Sequence, residues 1–169
     1  ILQQNHINQE IEILIADGMS TDGTRVIIET YSQNDERIHL IDNPERIVST
    51  GFNRALSSAK GHIIIRVDGH SKLDKNFINN CRTALTSTEA DCVGGATEHI
   101  ASGVIGNSIT LAQSSIFGIG VVAFRQGVKE GQYVDTLAFG AYKRKVFEKI
   151  GGYDQELVRN QDDEFNFRL

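Results

Sequence analysis

Residues 11–18 read Ile-Glu-Ile-Leu-Ile-Ala-Asp-Gly, a short apolar run that stops at an acidic turn. A run of this length that ends at a turn signal is typical of a buried β-strand. Ser20-Thr21-Asp22 follows and can cap a helix, and residues 25–33 repeat apolar side chains with a helical period. A strand that leads through a turn into a helix predicts an α/β fold.

The same alternation continues along the chain. The pattern predicts strands at residues 37–41, 62–67, 91–98 and 133–142, and helices at residues 49–60, 74–86, 143–150 and from Gln161 onwards, with a helix and a loop within residues 101–124. Strands that alternate with helices pair in a mostly parallel sheet. Because such sheets bind ligands at the carboxyl ends of their strands, Asp17-Gly18 and Asp68-Gly69-His70 should converge at one edge.

Composition limits the class of protein. The chain has 169 residues, enough for one domain with its own core, and its formal net charge of −5 argues against nucleic-acid binding. The two cysteines are too few for a disulfide framework, so we expect buried thiols in a reducing compartment. No apolar run reaches the length of a membrane-spanning helix.

The ends of the chain are unusual. It begins at Ile1 without Met and stops at Leu169 inside a predicted helix, which indicates a fragment of a longer protein. We expect a nucleotide-sugar-binding half over about residues 1–98 and an acceptor-side half over about residues 99–169. If a strand before Ile1 is missing, the sheet would have an open slot with unpaired backbone groups, and the fragment would be unstable, inactive or self-associated.

Three acidic groups could carry chemistry. Asp17, at a strand end, could accept a hydrogen bond from a nucleotide base, although an ordinary capped turn explains it as well. Asp68 and His70 flank a glycine and could hold a divalent ion on a diphosphate, Mn²⁺ suiting the imidazole, or could form a surface turn. Asp162 could act as a general base, or could simply stabilise the start of a helix.

Together and in this order, these groups resemble the family 2 glycosyltransferases. Residues 17–24 are similar to the signature DDGSTDGT, with Ala16 at the place of its first Asp. Residues 49–55 are similar to the helix start S-A-A-R-N-x-G, with Phe52 at the place of the Arg. Asp68-Gly69-His70 matches the D-x-D position, residues 151–154 resemble G-G-F-D, and Gln161-Asp162 matches the E-D pair.

A narrower resemblance comes from the D-x-H variant, Arg66-Val67-Asp68, and residues 134–136 with 139–142. These are similar to the subgroup that includes succinoglycan-type exopolysaccharide β-glucosyltransferases. The resemblance implies a GT-A fold and an inverting transfer from a UDP-sugar, such as UDP-glucose, to a polysaccharide or lipid-linked acceptor. It also implies a cytoplasmic location, and a lipid-linked acceptor would bring the full-length protein to the inner face of the cell membrane.

The resemblance also implies roles for individual residues. Asp17, Asn53 and Asp68 would bind the nucleotide-sugar, and Asp68 and His70 would hold Mn²⁺ or Mg²⁺. Asp162 would take the proton of the acceptor hydroxyl. Two alternatives stay open at this point: a sugar-nucleotide nucleotidyltransferase, which shares the α/β sheet and acidic turns, and a non-catalytic module derived from a transferase.

Overall fold

The helices and strands alternate for most of the chain. The computed structural model describes residues 1–5, 11–97, 100–114, 131, 133–134, 137 and 139–169. Its strands are β1 (Ile13–Asp17), β2 (Ile38–Asp42), β3 (Ile63–Ile65), β4 (Cys92–Val93) and β5 (Ala141–Lys143); its helices are α1 (Thr24–Asn34), α2 (Val48–Ser58), α3 (Phe77–Ser87), α4 (Gly103–Ser114), α5 (Arg144–Ile150) and α6 (Gln161–Arg168). The predicted α/β class is confirmed.

Several sequence-based boundaries are wrong. The helix expected over residues 49–60 begins at Val48 with Ile47 at the cap position, and Ser49 lies fully buried in its first turn, where its hydroxyl donates to Leu157 O. The strand expected over residues 91–98 is limited to Cys92–Val93 among the described residues, and the helix expected over residues 74–86 begins at Phe77. The predicted strand over residues 133–142 is confirmed only at its end, because β5 begins at Ala141. Asp135 and Thr136, part of the narrower resemblance, lie outside the described residues.

The pairing of the strands corrects the prediction of a mostly parallel sheet. β1 and β2 are parallel, and their register brings Asp17 opposite Asp42. In the second sheet, β5 lies between β3 and β4 and runs antiparallel to both. β3 and β4, which are joined through α3, both run antiparallel to β5 and so point in the same direction. This is the arrangement expected of two strands joined by a crossover helix. The exception is β5, whose partners lie far away in the sequence.

The β3–β5–β4 sheet is covered on both faces, which explains the continuous apolar run of β3. Ile63 and Ile65 pack with the buried residues of α3, whereas Ile64 packs on the opposite side with the cluster around Phe147 and Phe165. This alternation is the two-residue period of a strand. The sheet is therefore a central layer between helices.

The larger core is aromatic. It consists of Tyr142, Val146, Phe147, Tyr153 and Phe165, with Phe52 packed against it. Phe165 of α6 is completely buried, and burial of such a side chain contributes about 1.5–3 kcal/mol. The core thus anchors α6, the helix that carries Asp162, against the central sheet.

Two other features bear on the sequence-based expectations. Both cysteines are free, Cys81 buried and Cys92 half-buried, as expected. Burial raises the pKa of the Cys81 thiol to about 11. Within the described ranges, no helix combines the length and the apolar character needed to cross a membrane.

Candidate nucleotide-sugar site

Asp17 ends β1 and is almost completely buried, with 5% of its surface exposed. Its Oδ2 accepts a hydrogen bond from Ser20 N (2.9 Å) and another from Arg25 Nη1 (3.0 Å). Arg25 Nη2 also donates to Asp42 Oδ1 (2.7 Å) at the end of β2. One guanidinium therefore joins the carboxyl ends of both parallel strands.

These contacts set the charge state of Asp17. Burial alone raises the pKa of a carboxyl, but the hydrogen bonds from Ser20 and Arg25, together with the charge of Arg25, hold the pKa of Asp17 below its ordinary value. Asp17 is thus a buried carboxylate that stays ionised at neutral pH.

The strands β1 and β3 belong to two different sheets. Both strands start side by side, since Glu12 Oε1, just before β1, accepts a hydrogen bond from Gly61 N (2.8 Å), just before β3. Asn43, directly after β2, donates through its backbone N to Asp17 O at the end of β1 (2.9 Å), and its Oδ1 accepts a hydrogen bond from Thr50 Oγ1 in the first turn of α2 (2.8 Å). Helix α2 thus begins near the end of β1, and β3 begins near the start of β1.

The turn after β3 presents Asp68 and His70. Ser71 N donates to Asp68 O (3.0 Å) and closes the turn. The carboxylate of Asp68 is partly exposed, and His70 is exposed. In the parts of the chain that the structure describes, no cluster of three or more His, Cys, Asp or Glu residues is arranged to hold a metal ion. An oxygen and an imidazole ligand fit a cation that takes its remaining ligands from phosphates and water.

Asp162 lies in the first turn of α6, near the end of β3. Its Oδ2 is 3.7 Å from Nη1 of Arg66, and the same guanidinium contacts Asp68 Oδ1 through Nη2 (3.1 Å). Arg66 is the residue that follows β3, and its side chain is only 11% exposed. The structure therefore brings together Asp68 and Asp162, two of the predicted site residues, around one mostly buried guanidinium.

Other acidic residues in the first turn of α6 are arranged differently. Glu164 is engaged by Arg168, whose Nη2 also donates to Gly152 O (2.9 Å). Asp163 is exposed. Asp162 is the one of the three whose ion pair with Arg66 brings it to the end of β3. Sequence order alone could not separate these three carboxylates.

Asn53 connects α2 to the loop before α6. Its Nδ2 donates to Tyr153 O (2.8 Å), and its Oδ1 accepts from Tyr153 N (2.8 Å). Gly152 is needed for this close approach, since a Cβ there would lie 2.2 Å from Asn53 Oδ1. The described contacts of Asn53 hold Tyr153 in place, and the predicted nucleotide contact of Asn53 stays a prediction.

Phe52, at the place of the family's Arg, is part of the core. Its ring stacks on Tyr153 with 4.2 Å between centroids. A separate surface depression of about 270 Å³ runs along α2 and includes Asn53. Its lining contains neither Asp17 nor Asp68, His70 or Asp162.

The family model for Glycosyl transferase family 2 matches residues 1–151. The chain belongs to this family. The succinoglycan biosynthesis protein ExoA of Rhizobium meliloti is 31% identical over 159 residues, which cover 93% of this chain and 48% of that relative. The chain therefore spans about half the length of this relative.

Solved structures support the fold. TarS of S. aureus, in complex with UDP, superimposes with a TM-score of 0.71 at 17% identity, covering 97% of this chain and 47% of that one. The mannosyltransferase PcManGT from Pyrobaculum calidifontis, in complex with GDP-Man and Mn²⁺, gives a TM-score of 0.64 at 17% identity, covering 97% of this chain and 44% of that one. The chain thus has the predicted GT-A fold.

The sequence assigned no role to two arginines that the structure places beside the predicted site residues. Arg25 joins Asp17 to Asp42, and Arg66 joins Asp68 to Asp162. The signal for Arg66 was a charged residue directly after the apolar run Ile63-Ile64-Ile65. A charge beside a buried strand needs partners, and the nearest candidate was Asp68.

Proposed function

We propose that this transferase moves a sugar from a UDP-sugar to a hydroxyl of a saccharide or lipid-linked acceptor, with inversion, in the synthesis of an exopolysaccharide or cell-envelope glycan. The observation that carries the proposal is the approach of Asp162 and Asp68 to one mostly buried guanidinium, that of Arg66. The complexes of TarS with UDP and of PcManGT with GDP-Man support a nucleotide-linked donor, and the name of ExoA supports a polysaccharide product.

In this proposal, Asp17 recognises the nucleotide base. Its hydrogen bonds from Ser20 N and Arg25 Nη1 both use Oδ2, and Oδ1 would accept a base N–H. Because the carboxylate stays ionised, it is a hydrogen-bond acceptor only and would favour a base edge that donates, as the N–H of uracil does. Arg25 and Ser20 fix the orientation of the carboxylate.

Asp68 and His70 would hold a divalent cation, Mn²⁺ or Mg²⁺, on the diphosphate. When bound, such an ion neutralises the charge that builds up on the leaving diphosphate. The complex of PcManGT with Mn²⁺ supports this assignment. The exposure of His70 and the partial exposure of Asp68 leave both accessible to a ligand from solvent.

Asp162 would be the general base. One of its oxygens takes the proton from the acceptor hydroxyl as that oxygen attacks the anomeric carbon, and the bond from this carbon to the diphosphate breaks with its electron pair on the leaving group. A single in-line displacement inverts the anomeric centre, so an α-linked donor gives a β-linked product. The products are the glycoside and the nucleoside diphosphate.

A donor assay tests the proposal. The complete protein is incubated with Mn²⁺, radiolabelled UDP- and GDP-sugars and lipid-linked or oligosaccharide acceptors, and the anomeric configuration of any product is read by NMR. We expect a β-linked product from a UDP-sugar. Formation of a nucleotide-sugar from a nucleoside triphosphate and a sugar phosphate would instead show a nucleotidyltransferase, and UDP binding without turnover of any donor would show a binding module.

A further inference from the structure

Arg66 is a mostly buried cation beside Asp68 and Asp162, and the resemblance to the family assigns it no role. Its side chain is only 11% exposed, although it directly follows the apolar strand β3. A guanidinium in such a place is stable only if its charge and its donors are matched by partners. The identity of these partners indicates what the residue does.

The first partner is Asp68, two residues further along the chain. Arg66 Nε donates to Asp68 Oδ1 (3.1 Å), and Nη2 lies 3.1 Å from the same oxygen and 3.4 Å from Oδ2. The fork of the guanidinium thus engages both oxygens of the carboxylate. Forked pairs of this kind fix geometry better than the single contact of a lysine.

The remaining nitrogen, Nη1, points to the other side of the site. It lies 3.7 Å from Asp162 Oδ2 and 3.4 Å from the hydroxyl of Tyr153, 87 residues away in the chain. The guanidinium also sits over the ring of Tyr153, with 5.6 Å from Cζ to the centroid. Arg66 therefore links the end of β3 to the first turn of α6.

Tyr153 itself is rigidly held. Its backbone forms two hydrogen bonds with the amide of Asn53, and its ring is stacked on Phe52. The platform under Arg66 is thus fixed by α2. A side chain clamped between a fixed ring and two carboxylates can hold those carboxylates at a defined separation.

We propose that Arg66 is the positioning residue of this site and the internal counter-ion of Asp68. The inference rests on the proposed function, and it adds two statements. Arg66 positions the carboxylate of Asp162 so that it can act as the base beside the donor sugar. Arg66 also compensates the charge of Asp68 in the free protein, so a cation that binds Asp68 does so against the positive charge of the guanidinium.

These two statements predict opposite effects of one substitution. In Arg66→Met, Asp162 loses its contact with the guanidinium, so at saturating Mn²⁺ kcat should fall at least about tenfold while KM for the donor changes little, because the base does not bind the donor. Loss of the positive charge beside Asp68 should at the same time raise the affinity for Mn²⁺ alone by about threefold or more. Loss of an ion pair that only stabilised the fold would not strengthen cation binding.

The experiment measures kcat and donor KM of the complete protein, and titrates Mn²⁺ alone by calorimetry. Arg66→Met is compared with Arg66→Lys, which keeps the charge without the fork, and with Arg37→Met, which removes a surface arginine paired with Asp35. We expect Arg66→Lys to lose kcat but to retain the Mn²⁺ affinity of the wild type, and Arg37→Met to match the wild type in both.

Wild-type kcat in Arg66→Lys, or a Mn²⁺ affinity that is unchanged or lower in Arg66→Met, would overturn the inference. If Arg66→Met does not fold, Arg66→Lys still decides the positioning role through kcat and donor KM. Failure of the proposed function is a different result, since the wild type itself would then transfer no sugar.

Discussion

Arg66 Nη1 lies 3.7 Å from Asp162 Oδ2, and this pair joins the end of a central strand to the first turn of a helix near the other end of the chain. The same guanidinium engages both oxygens of Asp68. Two carboxylates to which we assign different tasks, cation binding and proton abstraction, thus share one mostly buried positive charge.

Asp162→Asn should abolish transfer and leave binding of the nucleotide intact. The amide cannot accept the proton of the acceptor hydroxyl, and loss of a general base lowers kcat about a hundred- to ten-thousandfold. Initial rates of transfer and calorimetry with UDP and Mn²⁺ measure the two effects. The matched control is Asp163→Asn, one residue further in the same helical turn, which should keep most of the activity. If Asp163→Asn lost transfer and Asp162→Asn kept it, Asp163 would be the base.

His70→Ala should weaken the effect of the cation on nucleotide binding. Loss of even an outer-shell partner commonly lowers metal affinity about 10- to 100-fold, so loss of a direct ligand should reduce the gain in UDP affinity on adding Mn²⁺ by at least about tenfold. Calorimetry with and without Mn²⁺ gives this gain. His39→Ala, which removes an exposed histidine on β2, is the control. An undiminished gain in His70→Ala would refute the ligand assignment.

Asn53→Ala should destabilise the fold by about 2 kcal/mol, because it removes two hydrogen bonds and leaves backbone groups of Tyr153 without partners. Denaturant unfolding measures the loss. Asn34→Ala serves as the comparison, since it removes an exposed asparagine that caps the end of α1 through Thr30 O. Equal stability of the two variants would mean that the link between α2 and Tyr153 contributes little.

The stability of the protein should depend on the ionisation of Asp17. Although burial raises the pKa of this carboxyl, the hydrogen bonds from Ser20 and Arg25 hold it below its ordinary value in the folded state. A carboxyl with a lowered folded pKa adds stability above its unfolded pKa, and this contribution is lost as pH falls through the folded value. From about pH 5 to about pH 3, Tm should therefore fall more steeply for the wild type than for Asp17→Asn. Parallel Tm curves would show that Asp17 does not contribute.

Much of the fold could be predicted because its signals are local. The apolar runs that became β1 and β3 each end near the acidic residue that was assigned to the site, Asp17 and Asp68. The helices α1 and α5 begin within a residue or so of their predicted starts. These features depend on apolar period and turn residues, which a single sequence displays directly.

What could not be predicted depends on pairing between distant segments. Nothing local to Ala141–Lys143 indicates that β5 enters between β3 and β4 and runs against them. Serine is a residue type that commonly caps helices, but the hydroxyl of Ser49 donates to Leu157 O, more than a hundred residues later. The side-chain amide of Asn53 likewise forms hydrogen bonds with the backbone of Tyr153, a hundred residues later. Such roles follow from packing in three dimensions.

The most direct test of the account is a crystal structure of the complete protein with UDP and Mn²⁺, with the ion located by its anomalous signal. The account predicts one bound UDP whose uracil contacts Asp17 and whose diphosphate shares the ion with His70 and Asp68, with Asp162 facing the place of the donor sugar. UDP bound elsewhere, such as in the depression along α2, or an ion remote from His70, would contradict it.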